Sequence, residues 1–306
     1  MKANTTHQAH LPSTGHRRLA TKALMGIRTP DLLVREVSAF HPTVSPVVSM
    51  SIDLERSDAV NIDILRIVFY EKFLDSQYQI PAIEFAMNSP ELDRGTDEWY
   101  HLCKKVREAC ENYGCFEIVY DRIPPQLKAE TFCVSRELFS LPLEKKKKNI
   151  NPKPYQGYNG PSVRYPLYEG FGFEEASNYE SLRSLTEELL PHGHDQFCTV
   201  ISMTKKLDEL KNMINLMILD GYGLEETSNS FMVSKTLLKL MKYTAPPSRY
   251  YSIGTPVHTD KAFSTILCDD QVSGLEVQTR DEQWVKLSIS PRSFVFLVGD
   301  YLMVQN

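Results

Sequence analysis

The sequence lacks several features that would place it in a well-marked class of protein. It has six cysteines among 306 residues, but no two of them have the C-x-x-C spacing of zinc-binding or redox motifs. Its net charge of −5 argues against general nucleic-acid binding. No apolar run approaches the length of about 20 residues that a membrane-spanning helix requires. We therefore expect a globular protein with reduced thiols that binds neither nucleic acid nor membranes.

The N-terminal part of the chain shows few signs of ordered structure. We predict that residues 1–77 form an extension that is disordered or weakly ordered. The first 30 residues contain five Lys or Arg residues and no acidic residue, and they are rich in Ser and Thr. This composition resembles an organelle transit peptide. The sequence therefore leaves plastid or mitochondrial import open beside the cytoplasmic location that we favour.

The hydrophobic period changes along the rest of the chain. Apolar residues at helical spacing predict helices, which lie within residues 96–114, 123–142 and 199–220. From about residue 233, short alternating runs separated by turn residues predict a series of strands. Between these halves, the Pro-, Gly- and Tyr-rich stretch 151–173 predicts a long loop that carries binding residues. Helices followed by many short strands indicate an α+β fold that ends in a sandwich or barrel.

The segment VHTDKAFSTIL, residues 257–267, has the composition of half a metal site. His258 and Asp260 stand two positions apart, so their side chains leave the same face of an extended strand. Mononuclear iron oxygenases hold Fe(II) with two His and one carboxylate and leave its other positions open. The tripeptide alone is a weak signal, because such a pair also occurs in purely structural settings. The other candidate pair, HGHD at 192–195, falls in a turn, which is a poorer place for metal ligands.

The order and spacing of nine segments resemble the plant 2-oxoglutarate- and Fe(II)-dependent dioxygenases. The segments are IPAIEF, ENYGCFEI, LFSLPLEKK, LPHGHDQF, LKLMKY, HTDKAFSTIL, GLEVQ, WVKL and SFVFLVGD. They are most similar to the branch that includes the glucosinolate side-chain dioxygenases. The resemblance covers about residues 78–306 and leaves the first 77 residues unmatched.

The resemblance implies a particular division of the chain. It implies a helical non-haem dioxygenase N-terminal region at 78–230, followed by a double-stranded β-helix, or jelly-roll barrel, at 231–306. It also implies that His258 and Asp260 are iron ligands and that no catalytic residue is needed beyond the ligands.

Two further residues match family positions that contact the cosubstrate. The resemblance implies that the hydroxyl of Tyr243, in LMKY, reaches a carboxylate of 2-oxoglutarate. It implies that Leu267 lines the cosubstrate pocket. Read as residues alone, both are equally compatible with packing inside barrel strands.

The implied activity is the oxidation of a small plant specialised metabolite by hydroxylation, desaturation or dealkylation. Fe(II) is the implied metal, 2-oxoglutarate the cosubstrate and ascorbate the reductant, and succinate and carbon dioxide are released. We expect a monomer whose partner is a small-molecule substrate.

The sequence departs from the family pattern after SFVFLVGD. The family places a second metal-binding His and a 2-oxoglutarate-binding Arg beyond this point, but no His follows His258 in this sequence. Arg280 and Arg292 lie in turn-like segments before the last predicted strand, so neither takes the role of the missing Arg. We therefore expect a barrel lacking its last strands, with open strand edges, weak metal binding and little turnover. The alternative is a non-catalytic remnant that binds a small molecule or a full-length paralogue.

Overall fold

The computed structural model describes residues 34–38, 45–53, 79–85, 93–189, 194–227, 235–245, 252–270, 272, 274–279 and 282–302. Its helices are α1 (Asp97–Tyr113), α2 (Pro125–Ser140), α3 (Leu143–Lys146), α4 (Tyr179–Leu189) and α5 (His194–Gly221). Its strands are β1 (Val34–Ser38), β2 (Ser45–Asp53), β3 (Ala82–Phe85), β4 (Cys115–Tyr120), β5 (Gly157–Asn159), β6 (Tyr168–Glu174), β7 (Lys235–Tyr243), β8 (Ser252–His258), β9 (Ser264–Asp269), β10 (Leu275–Gln278), β11 (Trp284–Lys286) and β12 (Ser293–Val298).

The helices form where apolar spacing predicts them. α1 is preceded by Thr96, whose side chain accepts a hydrogen bond of 3.2 Å from the amide of Trp99. It ends at Gly114, which has a φ of 70°, the left-handed conformation that glycine adopts without strain. Both α1 and α2 pack against the long central helix α5. In the described part of the chain, no helix is long and apolar enough to cross a bilayer.

Two sheets form the β half of the fold. The smaller has the order β11-β10-β1-β8, and the larger has the order β3-β4-β12-β9-β2-β7-β6-β5. Successive residues of a strand face opposite sides, and β9 shows this clearly. Leu267 belongs to the apolar cluster shared by both sheets, whereas Ile266 and Cys268 pack in the cluster that includes the helices. The helices therefore cover the outer face of the larger sheet, and the space between the two sheets is a separate core.

β1 and β2 correct the prediction of an extension without regular structure. β1 lies between β8 and β10, and β2 lies between β7 and β9. The prediction fails for these two segments. The other residues of 1–77 lie outside the described residues. The physical reason is that SPVVSMSID places apolar residues at alternating positions, at Val48, Met50 and Ile52. Such a strand is stabilised when both of its backbone edges find partners.

The same strands pair several of the barrel edges that were predicted to be open, while β8 stands at the end of the smaller sheet among the described strands. The facing edges of β7 and β9 both pair with β2, and those of β8 and β10 both pair with β1. The backbone groups on these four facing edges are therefore hydrogen-bonded within the chain, and the prediction of open edges elsewhere in the barrel stays a prediction. The predicted loop at 151–173 is also corrected, because it contains β5 and β6, which extend the larger sheet beyond β7.

A buried lysine connects α5 to the larger sheet. The side chain of Lys211 is 0% exposed, and its ammonium donates a hydrogen bond of 2.6 Å to Thr236 Oγ1. Asp208 Oδ1 lies 3.0 Å from the same nitrogen. Burial lowers the pKa of Lys211 to about 8, although the nearby Asp208 carboxylate acts in the opposite direction.

Candidate metal and cosubstrate site

The structure brings His258 and Asp260 together. β8 ends at His258, and the chain then turns so that Asp260 Oδ1 lies 3.7 Å from His258 Nε2. His258 Nδ1 lies 2.9 Å from the carbonyl oxygen of Pro256. A carbonyl only accepts hydrogen bonds, so Nδ1 carries the proton and donates it. In the neutral ring this leaves the lone pair of Nε2 free, which is the arrangement found in metal-binding histidines.

The donor pair fits a first-row divalent cation. Two ligands that each stand about 2.1 Å from a shared ion are at most about 4.2 Å apart, and the observed 3.7 Å lies within that limit. The side chains are 42% and 25% exposed, so an ion can reach them from solvent. Among the residues that the structure describes, no three His, Cys, Asp or Glu side chains converge on one point. His258 and Asp260 therefore supply two protein donors to this site.

The turn that carries Asp260 is held by the chain that follows β12. The amide of Asp300 donates to the carbonyl of Asp260 at 2.8 Å, and the amide of Gly299 donates to Phe263 at 3.0 Å. A Cβ atom at Gly299 would lie 2.0 Å from the carbonyl oxygen of Ala262. Glycine is thus required here for the two backbones to approach. This contact sets the position of the carboxylate relative to the imidazole.

Tyr243 is anchored by the strand that carries His258. Its hydroxyl lies 2.8 Å from Thr255 Oγ1, three residues before His258 on β8. Its ring packs against Tyr168, with the ring centroids 5.5 Å apart. Tyr168 and Tyr243 are direct cross-strand partners on β6 and β7. The phenol is therefore held on the barrel side of the larger sheet, beside the cluster shared by both sheets.

Leu267 is 5% exposed and belongs to the cluster between the two sheets. This position agrees with a residue that lines a pocket inside the barrel, and equally with a packing residue. Its role at a cosubstrate therefore stays a prediction.

The structure describes only some of the other Arg and His residues that the sequence singled out. Arg292 is exposed in the turn before β12, and Arg280 lies outside the described residues. His192 also lies outside them, and His194 begins α5.

Sequence reasoning missed three residues that shape the site. Thr255 forms a hydrogen bond with the Tyr243 hydroxyl, and Tyr168 packs against the Tyr243 ring. Gly299 leaves room for the backbone turn that carries Asp260. The signal for Gly299 was present in SFVFLVGD, since a glycine directly after a buried strand often marks a close backbone approach. Tyr168 had no such signal, because it falls in the stretch predicted to be a loop.

A helical layer packed on a two-sheet barrel, with a His and Asp pair at the end of a barrel strand, defines the architecture of the non-haem iron oxygenases. Comparison with known proteins supports this class. The family profile described as non-haem dioxygenase in morphine synthesis N-terminal matches residues 80–175. The profile of the 2OG-Fe(II) oxygenase superfamily matches residues 232–306.

Known proteins of two kinds resemble the chain over most of its length. The probable 2-oxoglutarate-dependent dioxygenase AOP1.2 of Arabidopsis thaliana is 35% identical over 74% of this chain and 71% of its own. The structure of the dioxygenase for auxin oxidation 1 from Arabidopsis thaliana with 2-oxoglutarate is 26% identical, with a TM-score of 0.65 over 72% of this chain and 80% of that one. The rice dioxygenase for auxin oxidation is 30% identical, with a TM-score of 0.61 over 72% of each chain.

The chain belongs to the 2OG-Fe(II) oxygenase superfamily. The predicted family and the predicted α+β fold with a jelly-roll barrel are confirmed. Its relatives are 2-oxoglutarate-dependent dioxygenases, which are oxidoreductases.

Proposed function

We propose that this protein is a 2-oxoglutarate-dependent dioxygenase that oxidises a small plant specialised metabolite. The observation that carries the proposal is the position of His258 Nε2, which lies 3.7 Å from the Asp260 carboxylate while Nδ1 of the same ring lies 2.9 Å from the Pro256 carbonyl oxygen. His258 and Asp260 would hold Fe(II). When bound, the metal supplies the oxidative chemistry by which 2-oxoglutarate and dioxygen yield succinate, carbon dioxide and an oxidised substrate.

The protein's own residues prepare the site for this chemistry. The Pro256 carbonyl fixes the tautomer of His258, and the Asp300 amide orients the turn of Asp260. The Tyr243 hydroxyl, held by Thr255, is the donor that we assign to a carboxylate of 2-oxoglutarate. Leu267 and the cluster around it exclude water from that side of the barrel.

The proposed activity is turnover of 2-oxoglutarate at a metal ion held by His258 and Asp260. The measurement is succinate release from 2-oxoglutarate with Fe(II) and ascorbate, the reductant that we propose.

Variants of the donors make this experiment specific. His258→Ala and Asp260→Ala should each abolish succinate release. His101→Ala, at an exposed histidine on α1, is the matched control and should leave it unchanged. Succinate at the metal-free level in the wild-type chain would contradict the enzyme proposal. Binding of 2-oxoglutarate in the presence of cobalt(II), by a chain that releases no succinate in the assay with Fe(II), would instead support the non-catalytic alternative.

We further propose a cytoplasmic monomer. The basic, acid-free composition of the first 30 residues leaves organelle import as the competing location. A reporter fused to residues 1–50 decides between the two, because import into plastids or mitochondria would contradict the cytoplasmic proposal. Light scattering of the purified chain tests the monomer.

A further inference from the structure

The N-terminal strands border three of the four residues assigned to the candidate site, His258, Tyr243 and Leu267. In antiparallel strands, directly opposed residues have Cα atoms about 4.5–5.5 Å apart and side chains on the same face. The opposed pairs are Val34 with His258, Ser45 with Tyr243, and Ser49 with Leu267. The three barrel strands that carry the site are therefore all contacted by one short segment of the chain.

The pairing of β8 shows how much depends on this segment. Among the described strands, β8 has β1 as its hydrogen-bonded neighbour in the smaller sheet. The strand that ends at His258 is thus joined to its sheet through β1. In the larger sheet, β2 fills the gap of two strand spacings, about 9.6 Å, between β7 and β9.

The pairing of β1 with β8 is also irregular next to His258. The register shifts between Val34 and Glu36 and again between Glu36 and Val37. Such irregularities bend a strand and re-aim its neighbours, and they are frequent beside active sites. The position of the imidazole therefore depends on the local course of β1.

We propose, resting on the function proposed above, that β1 and β2 are an integral wall of the metal and cosubstrate site. β1 anchors the strand of His258, and β2 joins the strands of Tyr243 and Leu267. The N-terminal segment is thus a positioning element for the reaction. The strand pairing itself is testable without any ligand.

A native cysteine permits a direct test of the pairing. Cys268 is the cross-strand partner of Val48, and the separation of opposed residues lies within the range of about 4.4–6.8 Å that disulfides span between Cα atoms. The variant Val48→Cys should therefore form a disulfide with Cys268 on mild oxidation. Peptide mapping under non-reducing conditions identifies the product.

Two control variants make the crosslink interpretable. Leu297→Cys is the positive control, because Leu297 is the cross-strand partner of Cys115 in a pairing that excludes the N-terminal segment. Burial raises the pKa of both native thiols to about 12, so their reactivity is matched. Ser49→Cys is the negative control, because Ser49 is the cross-strand partner of Leu267 and not of Cys268. A crosslink to Cys115 without one to Cys268 would overturn the proposed pairing.

Amide hydrogen exchange of the unmodified chain gives an independent readout. Residues 45–53 should be protected to the same degree as β9, because both edges of β2 are paired. If neither cysteine variant crosslinks, this measurement decides the question. Exchange of residues 45–53 at the rate of an unstructured peptide would overturn the proposal.

Ligand binding tests whether the site depends on the segment. Proline removes a backbone donor from a strand, and Val37 is paired with Ile253 of β8, so Val37→Pro should weaken cobalt(II)-dependent binding of 2-oxoglutarate at least tenfold. His101→Ala, at the exposed histidine of α1, is the control and should bind with wild-type affinity. If Val37→Pro does not fold, Val37→Gly replaces it. Unchanged affinity in a folded Val37 variant would overturn the site role. Absence of binding by the wild-type chain would overturn the proposed function, while the crosslink would still report the pairing.

Discussion

Substitution of Gly299 by alanine should loosen the turn that carries Asp260. The added Cβ atom would lie 2.0 Å from the Ala262 carbonyl oxygen, so the two backbones must separate by at least about 1 Å to reach ordinary contact. That separation breaks or lengthens three hydrogen bonds, from the amides of Gly299, Asp300 and Tyr301 to the turn at 260–263. At about 0.5–1.5 kcal/mol each, the free energy of unfolding should fall by about 1.5–4.5 kcal/mol.

Two measurements on Gly299→Ala separate the effect on stability from the effect on the site. Urea unfolding gives the loss of stability. Titration with cobalt(II) should show weaker binding, because the carboxylate of Asp260 no longer holds its distance from His258. Gly221→Ala is the control, because the nearest atom to its added Cβ, the carbonyl oxygen of Cys103, is 3.3 Å away, a contact that a shift of a few tenths of an ångström relieves. Wild-type stability and metal affinity in Gly299→Ala would refute this reasoning.

Two other predictions concern a hydroxyl pair and the buried lysine. Tyr243→Phe should raise the KM for 2-oxoglutarate about tenfold, which is the value of one charge-assisted hydrogen bond. Thr255→Val should give a smaller rise, because it only releases the phenol. KM values equal to that of the wild-type chain in steady-state assays would contradict the assignment. Between the native pKa of Lys211, about 8, and its pKa of 10.5 in the unfolded chain, native Lys211 releases a proton that the unfolded chain retains. The stability of the wild-type chain relative to Lys211→Met should therefore rise across this window in urea unfolding series, and a constant difference would contradict it.

Local signals were sufficient for the helices and for half of the candidate site. The cap at Thr96 and the stop at Gly114 are encoded within a few residues of α1, so its limits could be predicted. His258 and Asp260 are two positions apart, so their convergence also depends on local geometry. By contrast, the partner of the Tyr243 hydroxyl belongs to another strand. Nothing in the periodicity of either segment specifies that contact.

The N-terminal strands could not be predicted for a related reason. β2 is a strand because β7 and β9 bracket it, and these partners are distant in the sequence. Strand preference depends strongly on such packing and weakly on composition. The alternation at Val48, Met50 and Ile52 is therefore compatible with a strand, but nothing near it in the sequence supplies the partners that β7 and β9 provide.

The central position of β2 has a consequence for the order of events during synthesis. Val48 pairs with Leu240 and Cys268, so its first partner is translated about 190 residues later, a delay of about 10–40 s at ordinary elongation rates. Neither sheet can be completed on the ribosome before this point. Contacts at such long sequence separation also slow folding. An apolar strand that stays unpaired for this long is available for chaperone binding. The yield of folded protein should therefore depend on chaperones.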